Sequence, residues 1–432
     1  MIFKPKKVVN CWDTWVQYHE GTYYLFYLAG RMEHWTGFGV ATSKDGLHFE
    51  DHGQVLTESE KNIGYLGTGS VWRSPDRNEN AFFCNYSEHH KTETGVEQKI
   101  FFAKSYDLLS WEKMGEESCF PCDNRWYVGD LAEGGRWDCI YAIEKEAGGY
   151  YGYFTAKVKG RLGFGFAETE DGYHWTALEP PVLELDDRDY ETQVEVGAIC
   201  KYEGKYYIIL SNGSNPGFIA VADKPEGPFR VQKENRMLMS SGTCPLSSYF
   251  MRFFQTPEGI FVNHHAISDE KNAIGESTIS LAPIKKVWFD RNNTLFLRWW
   301  DANEGMKGEE LPLNETGAEI AGEGFVLEGL AGTGGVVEIT VNDGSKTQFV
   351  FDLNRDLQIK TISSDAVKYG KTMPRPFWGS ENFRVRLLVR RRLTELYVND
   401  YFVDTYTMDD CPVKVCVDGD WKEAQLHGLA LS

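Results

Sequence analysis

Short runs of alternating apolar and polar residues recur through the first three hundred positions of the chain. Each copy begins with an apolar strand, passes a turn containing Gly or Asn into an aromatic strand, and ends in a third strand. Alternation with a period of two is typical of half-buried β-strands, and no copy contains a long stretch of helical period. The five copies cover residues 16–49, 70–111, 139–175, 198–229 and 250–281.

A recurring turn closes the first and third copies. These copies end in Ser43-Lys-Asp45-Gly46 and Thr169-Glu-Asp171-Gly172, each followed by an aromatic residue. One such unit cannot bury both faces of its sheet, whereas a closed ring of units buries them and protects their edges. The sequence therefore predicts an all-β chain that begins with a five-bladed β-propeller. An irregular β-sandwich is the alternative.

The repeat stops near Trp300, and a polar stretch rich in Gly and Glu follows. Beyond it, polar and apolar residues alternate again. For example, Arg384 and Arg386 alternate with Val385 and Leu387. Strict alternation is typical of antiparallel sheets with one buried and one wet face. A hairpin turn is predicted at residues 399–400. We therefore predict a propeller over 1–300, a linker over 301–316 and a β-sandwich over 317–432.

The balance of charges excludes some classes of partner. The chain has 45 Lys and Arg against 64 Asp and Glu, a net charge of −19, which argues against nucleic-acid binding. The short basic run at residues 390–392 is expected on one side of a solvated strand. No stretch of about 18 apolar residues exists, so no membrane span is predicted. Aromatic residues make up 14% of the chain, which fits both β-rich cores and stacking platforms for sugars.

The N-terminus and the cysteines favour a reduced, cytoplasmic protein. The first ten residues contain no apolar core of a secretory signal. Nine cysteines, an odd number, are scattered along the chain. Cys119 and Cys122 form a lone C-x-x-C pair, for which ordinary thiols are favoured over zinc ligands.

Three acidic residues lie at corresponding places in three of the copies. Asp13, Asp138 and Glu195 each come just before or at the start of the first strand of their copy. In a propeller the first strand of each blade lines the central axis, so these carboxylates are expected to converge at one mouth. Three neighbouring acids repel one another and have raised pKa values, a cost that a purely structural role would avoid. Paired carboxylates with separated pKa values are what cleavage of a glycosidic bond requires.

These segments resemble glycoside hydrolase family 32, which includes invertases, fructanases and inulinases. Residues 10–15, Asn-Cys-Trp-Asp-Thr-Trp, resemble the family motif Trp-Met-Asn-Asp-Pro-Asn. Arg136-Trp-Asp138 resembles Arg-Asp-Pro, and Glu195-Val-Gly resembles Glu-Cys-Pro. In each motif the acid is kept and its neighbours differ.

Other segments extend the resemblance over nearly the whole chain. Residues 34–37 resemble the family's Trp-Gly segment and residues 67–70 its Phe-Ser-Gly-Ser segment. Residues 384–389 and 394–400 resemble the signature of its C-terminal β-sandwich. Family 43 is the rival, because it shares the propeller and three acids and often places a His near the axis. Asn263-His264-His265 is a candidate for that place, with a surface or core-edge His pair as the alternative.

The resemblance to family 32 implies roles for individual residues. Asp13 is implied as the nucleophile, Glu195 as the general acid/base and Asp138 as the stabiliser of the transition state, held in its charged form by Arg136. Glu191 is the next candidate for the acid. The implied substrate-binding residues are Trp12, Trp35, Ser70, Arg136, Trp137 and His264, and Trp15 and Trp126 are further candidates for stacking walls.

The implied activity is retaining hydrolysis of β-fructofuranosidic bonds in small oligosaccharides, with no metal and no organic cofactor. Four alternatives stay open. They are an inverting arabinofuranosidase or xylosidase like those of family 43, a fructosyl transferase, a lyase-like relative, and a propeller that binds carbohydrate without cleaving it. Sugar identity, exo or endo action and oligomeric state are not fixed by the sequence.

Overall fold

The computed structural model describes residues 2–93, 95–186, 194–211, 217–232, 248–351, 356–363, 366–374, 382–408 and 410–430. The described chain is almost entirely β, as predicted, and the helices are short 3-10 turns at Glu116–Ser118, Leu131–Glu133 and Asp301–Met306. Within these ranges, no helix has the length and apolar character needed to cross a bilayer.

The first two blades are separate antiparallel sheets. The strands of blade one follow one another in space as they do in sequence: β1 (Asn10–His19), β2 (Thr22–Arg31), β3 (His34–Ser43) and β4 (Glu50–Thr57). In blade two the inner strand is split into two short pieces that both pair with the same neighbour. Its strands are β5 (Leu66–Gly67), β6 (Val71–Arg73), β7 (Phe82–Lys91), β8 (Val96–Ser105) and β9 (Glu112–Lys113).

Blades three and four each contain four consecutive antiparallel strands, preceded by one additional short strand. The strands of blade three are β10 (Tyr127–Val128), β11 (Trp137–Glu144), β12 (Tyr150–Val158), β13 (Gly165–Thr169) and β14 (Thr176–Ala177). The strands of blade four are β15 (Leu183–Glu184), β16 (Glu195–Tyr202), β17 (Lys205–Ser211), β18 (Phe218–Ala222) and β19 (Phe229–Val231). The added strand β15 pairs with β19 in parallel, at the outer edge of blade four.

Blade five closes the ring. Its strands are β20 (Ser248–Thr256), β21 (Gly259–Lys271), β22 (Ser277–Leu281), β23 (Lys285–Phe289) and β24 (Leu295–Trp299). The N-terminal segment pairs with it, because the Ile2 amide donates to the carbonyl of Leu281 at 2.8 Å and the Leu281 amide donates to Phe3 at 2.7 Å. Strand β1 of blade one also contacts β20. The five-bladed propeller is therefore confirmed, and its two ends are joined by main-chain hydrogen bonds.

The turn motif seen in the sequence has one hydrogen-bond pattern in three blades. In blade one, Asp45 accepts from the amides of Leu47 and His48, both at 2.9 Å. Asp171 does the same for Tyr173 and His174 in blade three, and Asp107 for Leu109 and Ser110 in blade two. The residue after each Asp has a positive φ, which Gly46 and Gly172 adopt without strain. The repeat is thus a shared turn structure.

The C-terminal domain is a β-sandwich, as predicted. One sheet contains β25 (Lys307–Leu311), β27 (Gly324–Ala331), β32 (Phe383–Arg390), β33 (Leu393–Val398), β34 (Tyr401–Thr407) and β36 (Trp421–Leu429). The other contains β26 (Ala318–Glu319), β28 (Val336–Val341), β29 (Lys346–Phe351), β30 (Asp356–Ser363), β31 (Ala366–Pro374) and β35 (Pro412–Asp418). Val385 and Leu387 of the first sheet pack with Val337 and Ile339 of the second in one buried cluster.

The predicted linker and the basic run differ from expectation. In the segment 301–316, predicted as a linker, Asp301–Met306 forms a 3-10 helix and Lys307–Leu311 is an edge strand of the sandwich. The strand Lys307–Leu311 is polar because it lies at a half-exposed edge of the sandwich. This polar composition resembles that of a linker. The run at residues 390–392 spans a strand end and a hairpin turn, where Arg390 and Arg391 both pair with Glu323.

The two domains share a continuous sheet and a core. Strand β24 of the propeller pairs with β34 of the sandwich at Arg298 and Tyr401. The hairpin turn at Asn399 and Asp400, confirmed by their φ values of 50° and 65°, accepts a 2.8 Å hydrogen bond from the Trp299 amide. Arg386 was expected on a wet face, but its guanidinium lies over the Trp299 ring at 4.2 Å and is buried.

A buried ionic network also crosses this junction. Lys285 of blade five donates to the Glu395 carboxylate of the sandwich at 2.7 Å, and Tyr397 donates to the same carboxylate at 2.7 Å. Lys285 Nζ also lies 2.6 Å from Nε2 of His264. Burial lowers the pKa of Lys285, while Glu395 raises it, and the net change is downward. Breaking such a pair leaves a buried charge without its partner.

The junction predicts a clear stability effect. Glu395→Gln should lower the free energy of unfolding of the full chain by about 3–5 kcal/mol, because buried Lys285 loses its carboxylate. Glu319→Gln is the matched control, because it removes an exposed carboxylate from strand β26 of the sandwich. It should change the free energy of unfolding by less than about 0.5 kcal/mol. Urea unfolding of both variants measures this. Equal effects of the two substitutions would contradict a stabilising network.

Candidate active site

The inner strands of the propeller are interrupted near one end of the channel. The pairing register shifts between Trp12 and Trp15 in β1, and between Asp138 and Tyr141 in β11. Corresponding shifts occur at 196–198 in β16 and at 249–252 in β20. A β-bulge of this kind bends the strand and turns a side chain in a new direction, and bulges are frequent next to active sites.

The three acids lie at or beside these bulges. Asp13 is within the bulge of β1 and has a φ of 41°, while Asp138 directly precedes the bulge residue Cys139, whose φ is 57°. Glu195 is the first residue of β16, two positions before Gly197. The acids are therefore offset from one another by one residue along their strands.

Side chains of adjacent blades satisfy the bulged backbone. Asn263 of blade five donates to the Thr14 carbonyl at 2.8 Å. Asn85 of blade two donates to the Ile140 carbonyl at 2.9 Å and accepts from its amide at 3.0 Å. Thr155 of blade three accepts from the Val196 amide at 3.0 Å. Buried main-chain groups require such partners, so these bonds fix the bulges and the acids beside them.

Asp13 is held by one oxygen and has the other unbonded. Its Oδ2 accepts a hydrogen bond from the Thr68 hydroxyl and lies 3.7 Å from Nη2 of Arg252. Its Oδ1 is buried and has no hydrogen-bond partner among the described residues. Burial raises the pKa of Asp13 from 3.8 to about 6; Arg252 and Thr68 oppose the rise, and Glu195 and Asp138 add to it. A carboxylate with one oxygen fixed and one open is suited to act as a nucleophile or base.

Asp138 is the most deeply buried of the three acids, with 3% of its side chain exposed. The Tyr65 hydroxyl donates to its Oδ2 at 2.6 Å, the Ser87 hydroxyl donates to its Oδ1, and the Cys139 thiol lies 3.4 Å from Oδ1. Gly67 makes room for it, since a Cβ there would lie 2.4 Å from Asp138 Oδ1. Because Gly67 and Thr68 adjoin, Asp138 and Asp13 contact consecutive residues of blade two.

Arg136 connects the second and third acids. Its Nη2 lies 2.9 Å from Oε1 of Glu195 and 3.5 Å from Oδ2 of Asp138. Arg136 and Glu195 are the more exposed members of the site, with 30% and 26% of their side chains accessible. Arg136 directly precedes β11 and Asp138 is the second residue of that strand, so the two side chains come from one short segment of blade three. The predicted contact between Arg136 and Asp138 is therefore present, and Arg136 also pairs with Glu195.

An aromatic wall lies beside Asp13. The half-buried rings of Trp12 and Trp35 are stacked, with centroids 6.2 Å apart and an interplanar angle of 23°. The His265 ring lies 4.6 Å from that of Trp12. Burial, reinforced by Arg252, lowers the pKa of His265 to about 3, so this ring is neutral at physiological pH. The half-buried faces of Trp12 and Trp35 suit the C–H face of a sugar ring, whereas His265 is fully buried and supports Trp12.

Four of the predicted contact residues lie elsewhere. Trp137 is completely buried among the aromatic side chains of blade three, and Trp15 stacks on Phe26 within blade one, so neither side chain is accessible to a sugar. The Ser70 hydroxyl donates to the Ile140 carbonyl and ties blade two to blade three. His264 is buried against Lys285. Side chains alternate along a strand, which is why His265 faces the aromatic wall while His264 faces the sandwich.

Trp126 and Glu191 were also predicted as residues of the site. Trp126 is half-buried, with the Arg125 guanidinium 4.3 Å from its ring centroid, and its role as a sugar wall stays a prediction. Glu191, the alternative acid, lies outside the described residues.

Sequence reasoning missed several residues of the site. Arg252, Tyr65, Ser87 and Tyr141 belong to none of the family motifs that were recognised. Arg252 had a visible signal, because it is the only charged residue in the apolar strand β20. Thr68 lies inside the segment 67–70 that resembled a family motif, although its contact with Asp13 was not predicted.

The fold and the acids define a class of structure: a five-bladed propeller with a C-terminal sandwich and three carboxylates around one end of the channel. No protein-family model matches the sequence, and no curated protein matches it either. Solved structures do match over nearly the full chain. The sucrose-6-phosphate hydrolase of Lactobacillus gasseri superposes with a TM-score of 0.76 and 15% identity, covering 99% of this chain and 93% of that one.

Two further structures show the same similarity. The family 32 β-fructofuranosidase of Bombyx mori has a TM-score of 0.73 at 13% identity, covering 99% of this chain and 92% of its own. The fructan 1-exohydrolase of Cichorium intybus, in complex with 1-kestose, has a TM-score of 0.72 at 12% identity, with coverages of 99% and 96%. A family 43 β-xylosidase/α-arabinofuranosidase from a compost metagenome covers only 68% of this chain, with a TM-score of 0.50. The resemblance in fold to family 32 is confirmed.

The raised pKa of Asp13 predicts a pH-dependent stability. Folding favours the protonated form, so stability falls as pH rises from about 4 to about 6, by about 3 kcal/mol in total. Asp13→Asn mimics the protonated form and should therefore raise the melting temperature at pH 7 and have little effect at pH 4. Calorimetry at the two pH values measures this difference.

Asp45 supplies the matched control for this prediction. Burial would raise its pKa, but hydrogen bonds from His48, Leu47 and Ser43 hold it well below its usual value. Asp45→Asn should therefore lower the melting temperature at pH 7, and less so in acid. A stabilising effect of Asp45→Asn, or a destabilising effect of Asp13→Asn at pH 7, would contradict this electrostatic account.

Proposed function

We propose that this chain is a retaining glycoside hydrolase that cleaves β-fructofuranosidic bonds in small oligosaccharides. The observation that carries the proposal is the convergence of Asp13, Asp138 and Glu195 from three blades of one propeller. Arg136 bridges two of these acids, and Asp13 is electrostatically coupled to both of the others. Burying three carboxylates together opposes folding, so their arrangement favours a chemical role.

In the first step Asp13 acts as the nucleophile. Its carboxylate attacks the anomeric carbon while the bond from that carbon to the leaving oxygen breaks, and Glu195 gives its proton to the leaving oxygen. In the second step Glu195 takes a proton from water. The water oxygen bonds to the anomeric carbon and Asp13 departs as a carboxylate. The reaction then ends with the anomeric configuration retained.

Asp138 and Arg136 control the charge of the site during these steps. Asp138 accepts from Tyr65, Ser87 and Cys139 in the free protein, so a sugar hydroxyl bonds to it by displacing one of these donors. The ion pair with Arg136 suits the carboxylate form of Glu195, which is the form needed in the second step. For the first step, the guanidinium turns from Glu195 to a sugar oxygen, and Glu195 can then carry the proton.

The solved structures support a fructoside as substrate. One is named a sucrose-6-phosphate hydrolase, one a β-fructofuranosidase, and one was determined with the fructan trisaccharide 1-kestose. All three cover the propeller and the sandwich of this chain, whereas the family 43 structure covers about two thirds of it. The half-buried rings of Trp12 and Trp35 fit a neutral sugar ring next to Asp13.

A carbohydrate-binding propeller without turnover is the second candidate. It is favoured by the altered neighbours of all three acids and by the ion pair that holds Glu195. Hydrolysis of a panel of aryl furanosides and of sucrose, 1-kestose and arabinose-containing oligosaccharides separates the two. A binder shows affinity by calorimetry and releases no sugar. Product analysis with added acceptor sugars separates a hydrolase from a transferase.

The nucleophile is tested by Asp13→Asn. The variant should keep the fold and lose about 10⁴-fold or more in turnover, because an amide cannot form the glycosyl intermediate. Turnover of sucrose or of a nitrophenyl fructofuranoside, measured beside the melting temperature, checks this.

Asp107→Asn is a suitable control for this substitution. Asp107 belongs to the turn of blade two, and among the described residues its hydrogen bonds are to that turn. Its loss should affect stability and leave turnover per folded molecule near that of the wild type. A folded Asp13→Asn variant with more than a tenth of wild-type activity would remove Asp13 from the nucleophile role.

The acid/base is tested by Glu195→Gln with two kinds of leaving group. Cleavage of a natural oligosaccharide should fall by about 10²–10⁴-fold, because a sugar departs poorly without a proton. A nitrophenyl glycoside needs no proton, so its first step should be far less affected. Since the second step lacks its base, a burst of nitrophenol should appear, and added azide should speed turnover. Pre-steady-state absorbance measurements with and without azide detect both effects.

Equal losses on both substrates in the first step would exclude Glu195 as the acid. Glu191 would then be the next residue to replace.

A further inference from the structure

Arg252 is a buried cation at the centre of the channel. It follows the bulge of β20 in blade five, and 1% of its side chain is exposed. Removing a guanidinium from water costs several kcal/mol, and the rest of its strand contains no other charged residue. An apolar side chain would suit the packing of this strand better. The charge at this position therefore serves a purpose other than packing.

The side chain of Arg252 reaches three other blades. Its Nη1 donates to the Gly197 carbonyl of blade four at 3.3 Å. Its guanidinium lies over the Tyr141 ring of blade three, 5.2 Å from the centroid. Its Nη2 lies 3.7 Å from Oδ2 of Asp13 in blade one. These contacts fix the positive charge next to one carboxylate of the site.

Several charged or titratable groups act on Asp13 at the same time. Glu195 of blade four, Asp138 of blade three and burial all favour its neutral form. Thr68 of blade two and Arg252 of blade five favour the carboxylate. Cys139 and Tyr141, which also face this group, are buried and have pKa values well above their usual ones, so they are neutral. His265, beside Arg252, is neutral as well.

We infer that Arg252 is a positioning residue that keeps Asp13 ionised in a site that would otherwise protonate it. Thr68 and Arg252 both act on Oδ2, whereas Oδ1 is buried and has no hydrogen-bond partner among the described residues. The other arginine of the site, Arg136, pairs with Glu195 and Asp138. The two arginines thus serve different carboxylates. The catalytic meaning of this inference rests on the proposed function, but the ionisation of Asp13 can be measured without it.

The test is a direct titration of Asp13 in the full-length protein. Carbon-13 NMR of protein labelled at the aspartate carboxyl carbons follows each Asp, and Asp13→Asn identifies the signal that belongs to Asp13. In Arg252→Met the titration midpoint should rise by about one to three pH units, because the opposite charge is lost. Arg252→Lys keeps a charge on a shorter side chain, so its midpoint should lie between those of the wild type and Arg252→Met.

Arg298→Met is the matched control. Arg298 is a half-exposed arginine of blade five that pairs with Asp400 at the sandwich, and its loss should leave the Asp13 midpoint unchanged. A midpoint that stays within about 0.3 units of the wild type in both Arg252 variants would overturn the inference. If Arg252→Met does not fold, Arg252→Gln also removes the charge, and an unchanged midpoint in that variant overturns the inference.

The pH profile of kcat/KM provides the second readout. If the protein hydrolyses a fructoside, the acid limb of the profile should move upward with the NMR midpoint in Arg252→Met. A purely structural role of Arg252 would lower the melting temperature and kcat without moving that limb. If no substrate is cleaved, the proposed function fails while the NMR titration still decides the role of Arg252.

Discussion

The cross-blade hydrogen bonds to the bulged inner strands are the constraint on which the site depends. A bulge frees main-chain groups from the sheet ladder, and buried groups of this kind must be bonded elsewhere. Asn263, Asn85 and Thr155 supply these bonds from the neighbouring blade. Three of the bulges are therefore stabilised by the preceding blade of the ring. Closure of the ring and the direction of the acids are two consequences of one set of interactions.

This arrangement concentrates opposing charges in the middle of the molecule. Asp13 and Asp138 are largely out of water, and Arg252 is almost completely so. A propeller designed only for stability would fill these places with apolar side chains, as the cores between the blades do. The balance between two arginines and three acids is unfavourable for folding and gives each acid a different environment. Asp13 has an open oxygen and a raised pKa, whereas Glu195 is half-exposed and paired.

Much of this architecture could be predicted from the sequence, because the signals were local. The alternating strands, the Asp turns and the hairpin at residues 399–400 depend on short-range patterns, and the structure contains them all. The place of the acids near inner strand starts was also predictable from the repeat. Trp137 was misplaced because its neighbours in sequence do not reveal which face of the strand points into the blade.

The residues that were missed act over long distances in the sequence. Arg252 lies 239 positions from Asp13, and no local motif links them. His264 and His265 show the same limit, since strand alternation separates them but the sequence does not say which one faces the axis. The direction of His264 depends on Lys285 of blade five, which lies next to its ring. Lys285 in turn donates to Glu395 of the sandwich. Local sequence patterns therefore predict secondary-structure elements more readily than contacts between residues that are far apart in the sequence.

The same pair of histidines gives the sandwich a place in the organisation of the site. His264 and His265 are consecutive residues of β21, so their side chains point to opposite faces of one strand. His264 is held by the ionic network with the sandwich, and His265 packs against Trp12 at the aromatic wall. A movement of β21 at the junction would therefore shift the wall beside Asp13. Because β24 also continues into the sandwich sheet, the second domain supports the blade that carries both His265 and Arg252. Its position relative to the propeller is thus coupled to the geometry of the acids.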